Sequence, residues 1–497
     1  MRLLRPAAAG IAGSLALASA LTGVGPISHG AGPAASGPAP RAAAAAPLVL
    51  ISPDLRQIYG AHLAAPSTAF CEQQYKIACY LPQQLRQAYR LPALYSRGIT
   101  GKGQTIVIVD SFGSPTVRHD LAVFDAVAHL PAPPVFRIIQ PAGRVPPYRT
   151  DSGREGWAAE TDLDVEYAHD IAPGAKILLV ETPTSENEGR TGFPQIVRAE
   201  EYVIDHHLGG VISQSFSASE QSFASRRRLA SLRGAYTDAV ARGVTVLTAS
   251  GDSGAADVEY DGSTYFGYRV TSWPDSDPLV TGVGATQLHL NAAGHPTKSA
   301  TVWNDTYNLA TNMYIAGNVG PNPLASGGGR SAIFARPWYQ RGVRRVVGGR
   351  RGVPDISMSG ACNGAADMYQ SFKGQPAGWY PTCGTSEATP IFAGIVALAD
   401  QVAHHRLGLI NPYLYRLSEI GAVGIADVLS GSNTVTFRQG SKNRRHTVHG
   451  FGARRGYDLA SGVGTVNAPA FVRELAFVAN HRRWSLSRLR AALAHLK

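Results

Sequence analysis

The chain has 497 residues, 44% of them hydrophobic and 16% charged, with a formal net charge of +11. That length and apolar content exclude a generally disordered chain and suit one large domain with terminal extensions. The positive charge gathers in three clusters, Arg336 to Arg351, Lys442 to Arg455 and His481 to Lys497, which read as solvated faces because no nucleic-acid motif accompanies them.

Residues 1–22 join Arg2 and Arg5 to the apolar run Ala7 to Leu21, which contains the small-residue segment Ala18-Ser19-Ala20, and predict a cleavable secretion signal. No later run is long and apolar enough to cross a bilayer, so no integral membrane segment is expected after signal removal. Residues 23–70 begin with an Ala-, Pro-, Gly- and Ser-rich stretch, Gly23 to Ala46, that cannot build a core and predicts a flexible leader. The folded domain is expected over 71–475. Residues 476–497 form a basic extension with Leu486, Leu489, Leu493 and Leu496 as an apolar stripe. The stripe suits packing on its own domain or, alternatively, loose association with an anionic envelope. Four cysteines in an exported chain suit two disulfides; Cys71 with Cys79 and Cys362 with Cys383 are the expected pairs because each closes a short loop.

Within the domain, Pro82 to Ser96 has helical spacing, and Gly101 to Gln104 turns into a buried strand, Thr105 to Val109, ending at Asp110. Glu160 to Asp170 is helical. Then come strand Lys176 to Glu181, helix Pro194 to His207, strand Gly210 to Phe216, helix Arg227 to Arg242 and strand Val244 to Ser250. This alternation predicts an α/β fold, a doubly wound and mainly parallel sheet with helices on both faces and sites at the carboxyl ends of its strands. Asp252 follows one such end, in Ser250-Gly251-Asp252-Ser253-Gly254.

Glu160 and Asp164 stand four residues apart, so a helix projects both carboxyls from one face. Asp162 and Glu166 beside them would suit a merely solvated acidic face. The stretch Cys383-Gly384-Thr385-Ser386-Glu387-Ala388-Thr389-Pro390 argues against so bland a reading: it runs into the apolar segment Ile391 to Leu398, a helix buried on all sides, and puts Ser386 on the first turn. Backbone N–H groups and the positive end of the helix dipole would face an oxyanion forming there. A serine nucleophile needs a base, and a carboxyl with a pKa near 4 is matched to acid, where a histidine is protonated.

ETDLD (Glu160, Asp164), SGDSG (Asp252) and GTSEATP (Ser386), in that order, resemble the motifs of sedolisins, the acid-active serine-carboxyl peptidases of the subtilisin-like clan. SWPDSDPLVTGVGAT (272–286), SGGGRS (326–331) and VPDIS (353–357) extend the resemblance from about Pro82 to Val472. It implies a subtilisin-like fold and a secreted, monomeric peptidase acting on peptides or proteins. In that scheme Ser386 attacks, Glu160 is general base, Asp164 orients Glu160, and protonated Asp252 donates to the oxyanion. Loops 214–223 and 326–331 would border the cleft. The resemblance also implies one structural Ca2+ held by Asp427, the carbonyls of Val428, Arg454 and Gly456, and Asp458; the chain departs from the family at Arg454, where glycine is usual. The chain also departs from the family ahead of Pro82, where a long folded propeptide is usual but only about sixty residues follow the signal, so a form without a long propeptide, or one helped by a separate chain, is expected.

Rival readings remain. A subtilisin triad requires a His-Gly-Thr-His segment after the Asp110 strand, which is missing, so Asp110 is read as structural or as a helper near the site. His169, His206 and His207 lie in helical patterns without that context. A chymotrypsin-like reading would make Ser253 the nucleophile, against the α/β alternation. From a different class, the chain would be an exported non-catalytic module that binds an anionic envelope or polymer through its basic surface.

Overall fold

The computed structural model describes residues 64–186, 192–223, 225–259, 264–314 and 320–495. The chain divides into units 1–44 and 45–497, and the described residues all belong to the second. The secretion signal over 1–22, the leader up to residue 63 and the stripe residue Leu496 lie outside the described residues.

The core is an eight-stranded sheet. Its order is Thr301–Val302, Thr281–Gln287, Thr245–Ala249, Val211–Gln214, Thr105–Ser111, Lys176–Thr182 and Phe136–Ile139, with Ile356–Ser359 also pairing with Thr281–Gln287. Every pairing is parallel except that of the Thr301–Val302 edge. Alternation along Thr105–Ser111 shows why both faces carry helices. Ile106 and Ile108 join the apolar cluster beneath helices Val117–Ala128, Ser152–Ile171, Thr385–Ala403 and Ala468–Asn480. Val107 and Val109 join the cluster beneath Gly192–Asp205 and Gly234–Ala241. This is the doubly wound α/β architecture expected from the alternating strands and helices.

Two local expectations need correction. The helix read over 227–242 is two helices, Arg226–Ala230 and Gly234–Ala241. Arg233 between them is drawn into a bidentate pair with Asp277, 2.6 and 2.8 Å, and lies over the Phe334 ring. That tertiary anchor outweighs helix propensity. The helix read over 82–96 is likewise broken, into Pro82–Ala88 and Pro92–Tyr95, with Arg90 left-handed between them (φ 59°). Pro92 cannot donate to the preceding turn and restricts Leu91. In keeping with the reading preferred above, the acids beside Glu160 form no solvated face: Asp162 and Glu166 are fully buried.

Both expected disulfides are present, Cys71–Cys79 and Cys362–Cys383. Helix Thr68–Tyr75, which carries Cys71, straddles the expected leader boundary at 70/71, and Ala468–Asn480 straddles the one at 475/476. The C-terminal stripe turns inward. Leu489 is buried in the main core, Leu486 and Leu493 pack on it, and Arg490 donates to the carbonyls of Ile420 and Glu419.

Candidate active site

Glu160 and Asp164 lie midway along Ser152–Ile171, the acid helix, whose first turn is capped by the Asp151 side chain accepting from Arg154 N–H at 3.0 Å. Ser386 lies on the first turn of Thr385–Ala403, the serine helix. The two helices approach closely because Gly394 faces Ile171: a Cβ at 394 would come within 2.6 Å of the Ile171 Cβ. That packing brings Ser386 against Glu160.

Both carboxyls are buried, Glu160 at 1% and Asp164 at 0% exposure. Burial pushes Glu160 well above the usual carboxyl range and neighbouring Asp164 adds to the rise, while the Ser386 hydroxyl beside it offsets part. Neither Glu160 oxygen nor Ser386 Oγ makes a well-aligned hydrogen bond, so the two groups are adjacent but loosely aligned. In a substrate-free site, catalytic bonds of this kind commonly tighten only when substrate arrives. Asp164 is also raised, by burial and then by Asp110, and it accepts from Ser215 Oγ at 2.9 Å.

Ser215 follows the strand Val211–Gln214, and Asp110 is the penultimate residue of the adjacent Thr105–Ser111. Sequence reasoning did not single out Ser215 within the 214–223 loop. The rule that sites form at carboxyl ends of parallel strands pointed to its position, but a lone serine carries no further mark. Asp110 is buried, its carboxyl pushed up to about 7 by burial, partly offset by the Thr161 hydroxyl and then raised by Glu181.

Pro390 explains the last part of the serine motif. Lacking an N–H, it leaves the Ser386 carbonyl, four residues back, without its helical donor. Ser215 Oγ lies 3.4 Å from that carbonyl. One hydroxyl thus faces both the acid helix and the serine helix.

Asp252 comes from the turn after Thr245–Ala249, reached through Gly251 in a left-handed conformation (φ 100°). Its Oδ1 accepts from the Thr385 N–H and from Thr385 Oγ1, both at 2.7 Å. Its Oδ2 presses on the serine turn: a Cβ on Gly384 (φ 124°) would sit 2.6 Å from it. Gly384 is therefore demanded by both conformation and space. Burial pushes Asp252 up to about 6, against the lowering effect of the Thr385 bonds. The Cys362–Cys383 disulfide anchors the residue immediately before Gly384.

The remaining candidates lie elsewhere. His169 is buried, donates from Nε2 to the Pro131 carbonyl at 2.9 Å, and is lowered to about 4 by burial. His206 and His207 are exposed. Ser253 lines a crevice with Asp257 and Ser272 beside the Asp252 turn.

Near the C-terminus, Asp458 Oδ1 accepts from the N–H groups of Ala460 and Ser461, each at 2.9 Å, and Oδ2 from Arg454 N–H at 2.9 Å. Asp427 Oδ2 accepts from Gly456 N–H at 2.8 Å, while its Oδ1 is buried and accepts nothing. The two carboxylates thus clasp loop 454–458 from both ends. Among the described residues no cluster of three or more His, Cys, Asp or Glu is placed to hold a metal. This set has two carboxylates and relies on backbone carbonyls; the orphaned Asp427 oxygen in an all-oxygen donor set fits a hard cation.

A model of the subtilase family matches residues 156–416, more than half of the chain and inclusive of Glu160, Asp164, Asp252 and Ser386. The chain is 31% identical to kumamolisin from Bacillus sp. (strain MN-32) over 394 residues, 78% of this chain and 62% of that protein. It is 28% identical to sedolisin from Pseudomonas sp. (strain 101), covering 78% and 61%. Human tripeptidyl-peptidase 1 is 30% identical over 69% of this chain and 54% of its own length. The chain therefore spans somewhat over half the length of these relatives. Among solved structures, Pseudomonas sedolisin complexed with pseudo-iodotyrostatin superposes with a TM-score of 0.65 at 26% identity, covering 82% of this chain and 98% of that one.

Proposed function

Because the chain belongs to the subtilase family, within its sedolisin or serine-carboxyl branch, we propose that it is an acid-active peptidase forming an acyl-enzyme on Ser386. Glu160 takes the Ser386 proton as Oγ attacks the peptide carbonyl, and returns it to the leaving amine as the tetrahedral intermediate collapses. Asp164, itself held by Ser215, orients Glu160. Asp252, carrying a proton on Oδ2, donates to the oxyanion beside the Ser386 N–H. Water then attacks the acyl ester by the same route in reverse. Glu160 and Asp164 work as a pair that shares a proton, so their titration belongs to the pair.

One observation supports this reading above others: a buried glutamate and a buried aspartate from separate elements converge on the helix turn that carries Ser386. The experiment is hydrolysis of a mixed peptide library from pH 2.5 to 8, with Ser386→Ala and Ser253→Ala alongside. An acid optimum, lost in Ser386→Ala and kept in Ser253→Ala, is expected. Activity surviving in Ser386→Ala would end the assignment. The cleavage positions distinguish endopeptidase from tripeptidyl-peptidase action.

The proposal includes a secreted monomer, in keeping with two formed disulfides. Among the described residues no helix is long and apolar enough to cross a membrane. It also includes a Ca2+ ion held by Asp427, Val428, Arg454, Gly456 and Asp458, fastening loop 454–458. A chelator should lower the melting temperature by several degrees, with recovery on adding Ca2+ but not Mg2+. An unchanged melting curve would remove the ion from the account.

A further inference from the structure

The stretch 326–354 holds seven arginines and no aspartate or glutamate. Arg351 is buried and paired with Asp355. The other six, Arg330, Arg336, Arg341, Arg344, Arg345 and Arg350, are exposed apart from half-buried Arg336, and none pairs with a carboxylate among the described residues.

The fold concentrates them further. Strands Gly329–Ala335 and Arg350–Val353 pair antiparallel, setting Arg350 opposite Ala335. The short helix Arg344–Val347 folds back on them, and Arg330 donates to its Val346 carbonyl at 3.0 Å. From another part of the chain, Arg226 reaches the Ala332 carbonyl at 2.9 Å, and Arg350 donates to the same oxygen at 3.2 Å. Two guanidinium groups therefore crowd one carbonyl with no carboxylate between them. Exposed Arg227 and Arg228 follow on the same turn, and Trp338, 61% exposed, stands amid the group. The side chains of Arg341, Arg344 and Arg345 make no hydrogen bond or ion pair with any described residue. Crowded like charges cost free energy, and these three guanidinium groups make no polar contact within the fold that offsets it.

We propose that this arginine face binds a linear polyanion carrying one phosphate charge per unit, alongside the peptidase site. The choice of arginine matters: its planar fork matches phosphate oxygens two at a time, which lysine cannot do. The choice of phosphate over carboxylate rests on the acid-peptidase reading. In acid a carboxylate of pKa about 4 is largely neutral, while an internal phosphate of a chain keeps its charge. The face also adjoins the site, since Gly327 N–H donates to the Gly251 carbonyl at 2.6 Å, two residues before the hairpin begins. An enzyme held this way presents its cleft to proteins on the same polymer.

The test is titration of the full chain with long-chain inorganic polyphosphate, and separately with polyglutamate, at pH 4 and pH 7 over a range of salt. Polyphosphate should bind at both pH values, with log K falling linearly in log salt by about 0.7 per phosphate engaged. Polyglutamate, with roughly half or more of its carboxyls protonated at pH 4, should bind markedly more weakly there than at pH 7. In the triple variant Arg341→Glu, Arg344→Glu, Arg345→Glu the slope should drop by about 2 and low-salt affinity by at least about tenfold, with peptide cleavage in the absence of polymer unchanged. The corresponding Arg→Gln triple should move in the same direction by less, which guards against a folding artefact. A control variant in the separate hairpin of strands Val435–Gln439 and Arg444–Val448, Arg438→Glu with Arg444→Glu, should bind as the parent does. Parental binding in both triples, an equal loss in the hairpin variant, or full polyglutamate binding at pH 4 would each overturn the proposal. Because the readout is binding, it stands or falls separately from peptide cleavage.

Discussion

Two donors on the serine helix, the Thr385 N–H and hydroxyl, hold Oδ1 of Asp252, so a proton on this carboxyl belongs on Oδ2, the oxygen beside Gly384. In the proposed reaction that proton is the oxyanion donor, and burial keeps it in place up to about pH 6. Above that value an ionised Asp252 repels the oxyanion, so activity should fall as pH rises through about 6. Asp252→Asn offers an uncharged test, because its amide oxygen can accept from Thr385 and its NH₂ can donate where the proton sat. The variant should keep activity and move its alkaline limit upward, whereas Asp252→Ala should lose about 10²–10³ in kcat. An alkaline limit identical in parent and Asn variant would assign that limit to another group.

At the scale of elements, the contact between acid helix and serine helix sets the distance from Glu160 to Ser386. Gly394 is a point of close approach, with no room for a Cβ against Ile171. Gly394→Val should spread the helices, costing roughly 1–3 kcal/mol of stability by overpacking and lowering kcat more than it changes KM. Urea unfolding and peptide kinetics on the same preparation would check both. Full stability together with full activity would mean the helices tolerate separation. This contact was partly legible beforehand. The apolar run 391–398 announces a buried helix, and the four-residue spacing of Glu160 and Asp164 announces one acidic face, because both signals are local and periodic. The pairing of Arg233 with Asp277, which breaks a helix, and of Ser215 with Asp164 join residues 44 and 51 apart in sequence. No periodicity encodes such pairs. The burial of Asp162 and Glu166 was hidden for the same reason, since helix spacing fixes which face a side chain takes but not what covers it.

Across the whole molecule, burial pushes further acids toward their protonated forms, Asp110 beside Asp164 among them. Burial raises Asp110, Asp125 and Asp170 each to about 7, Asp170 despite Arg86, and pushes Asp162 and Glu166 well upward. The unfolded chain releases these protons near pH 4. The native state therefore binds more protons between about 4 and 7, and the stability this contributes is full below 4 and lost as pH rises through that window. His169, lowered to about 4, acts in the opposite sense, adding stability above about 6.5 that is lost as pH falls through 4, but it is one group against five. The urea midpoint should be highest near pH 4 and fall toward pH 7.5. A midpoint that climbs with pH would mean these carboxyls are ionised in the native state.

The groups assembled at Ser386 come from positions 110, 160, 164, 215, 252 and 386, on strands and helices that meet only when the central sheet is complete. No segment released early from the ribosome contains a working set, and the nucleophile is made last. Under the proposed reaction, a chain of this design would be inert while it is being synthesised and while it is half folded, because its catalytic set exists only once the sheet is complete.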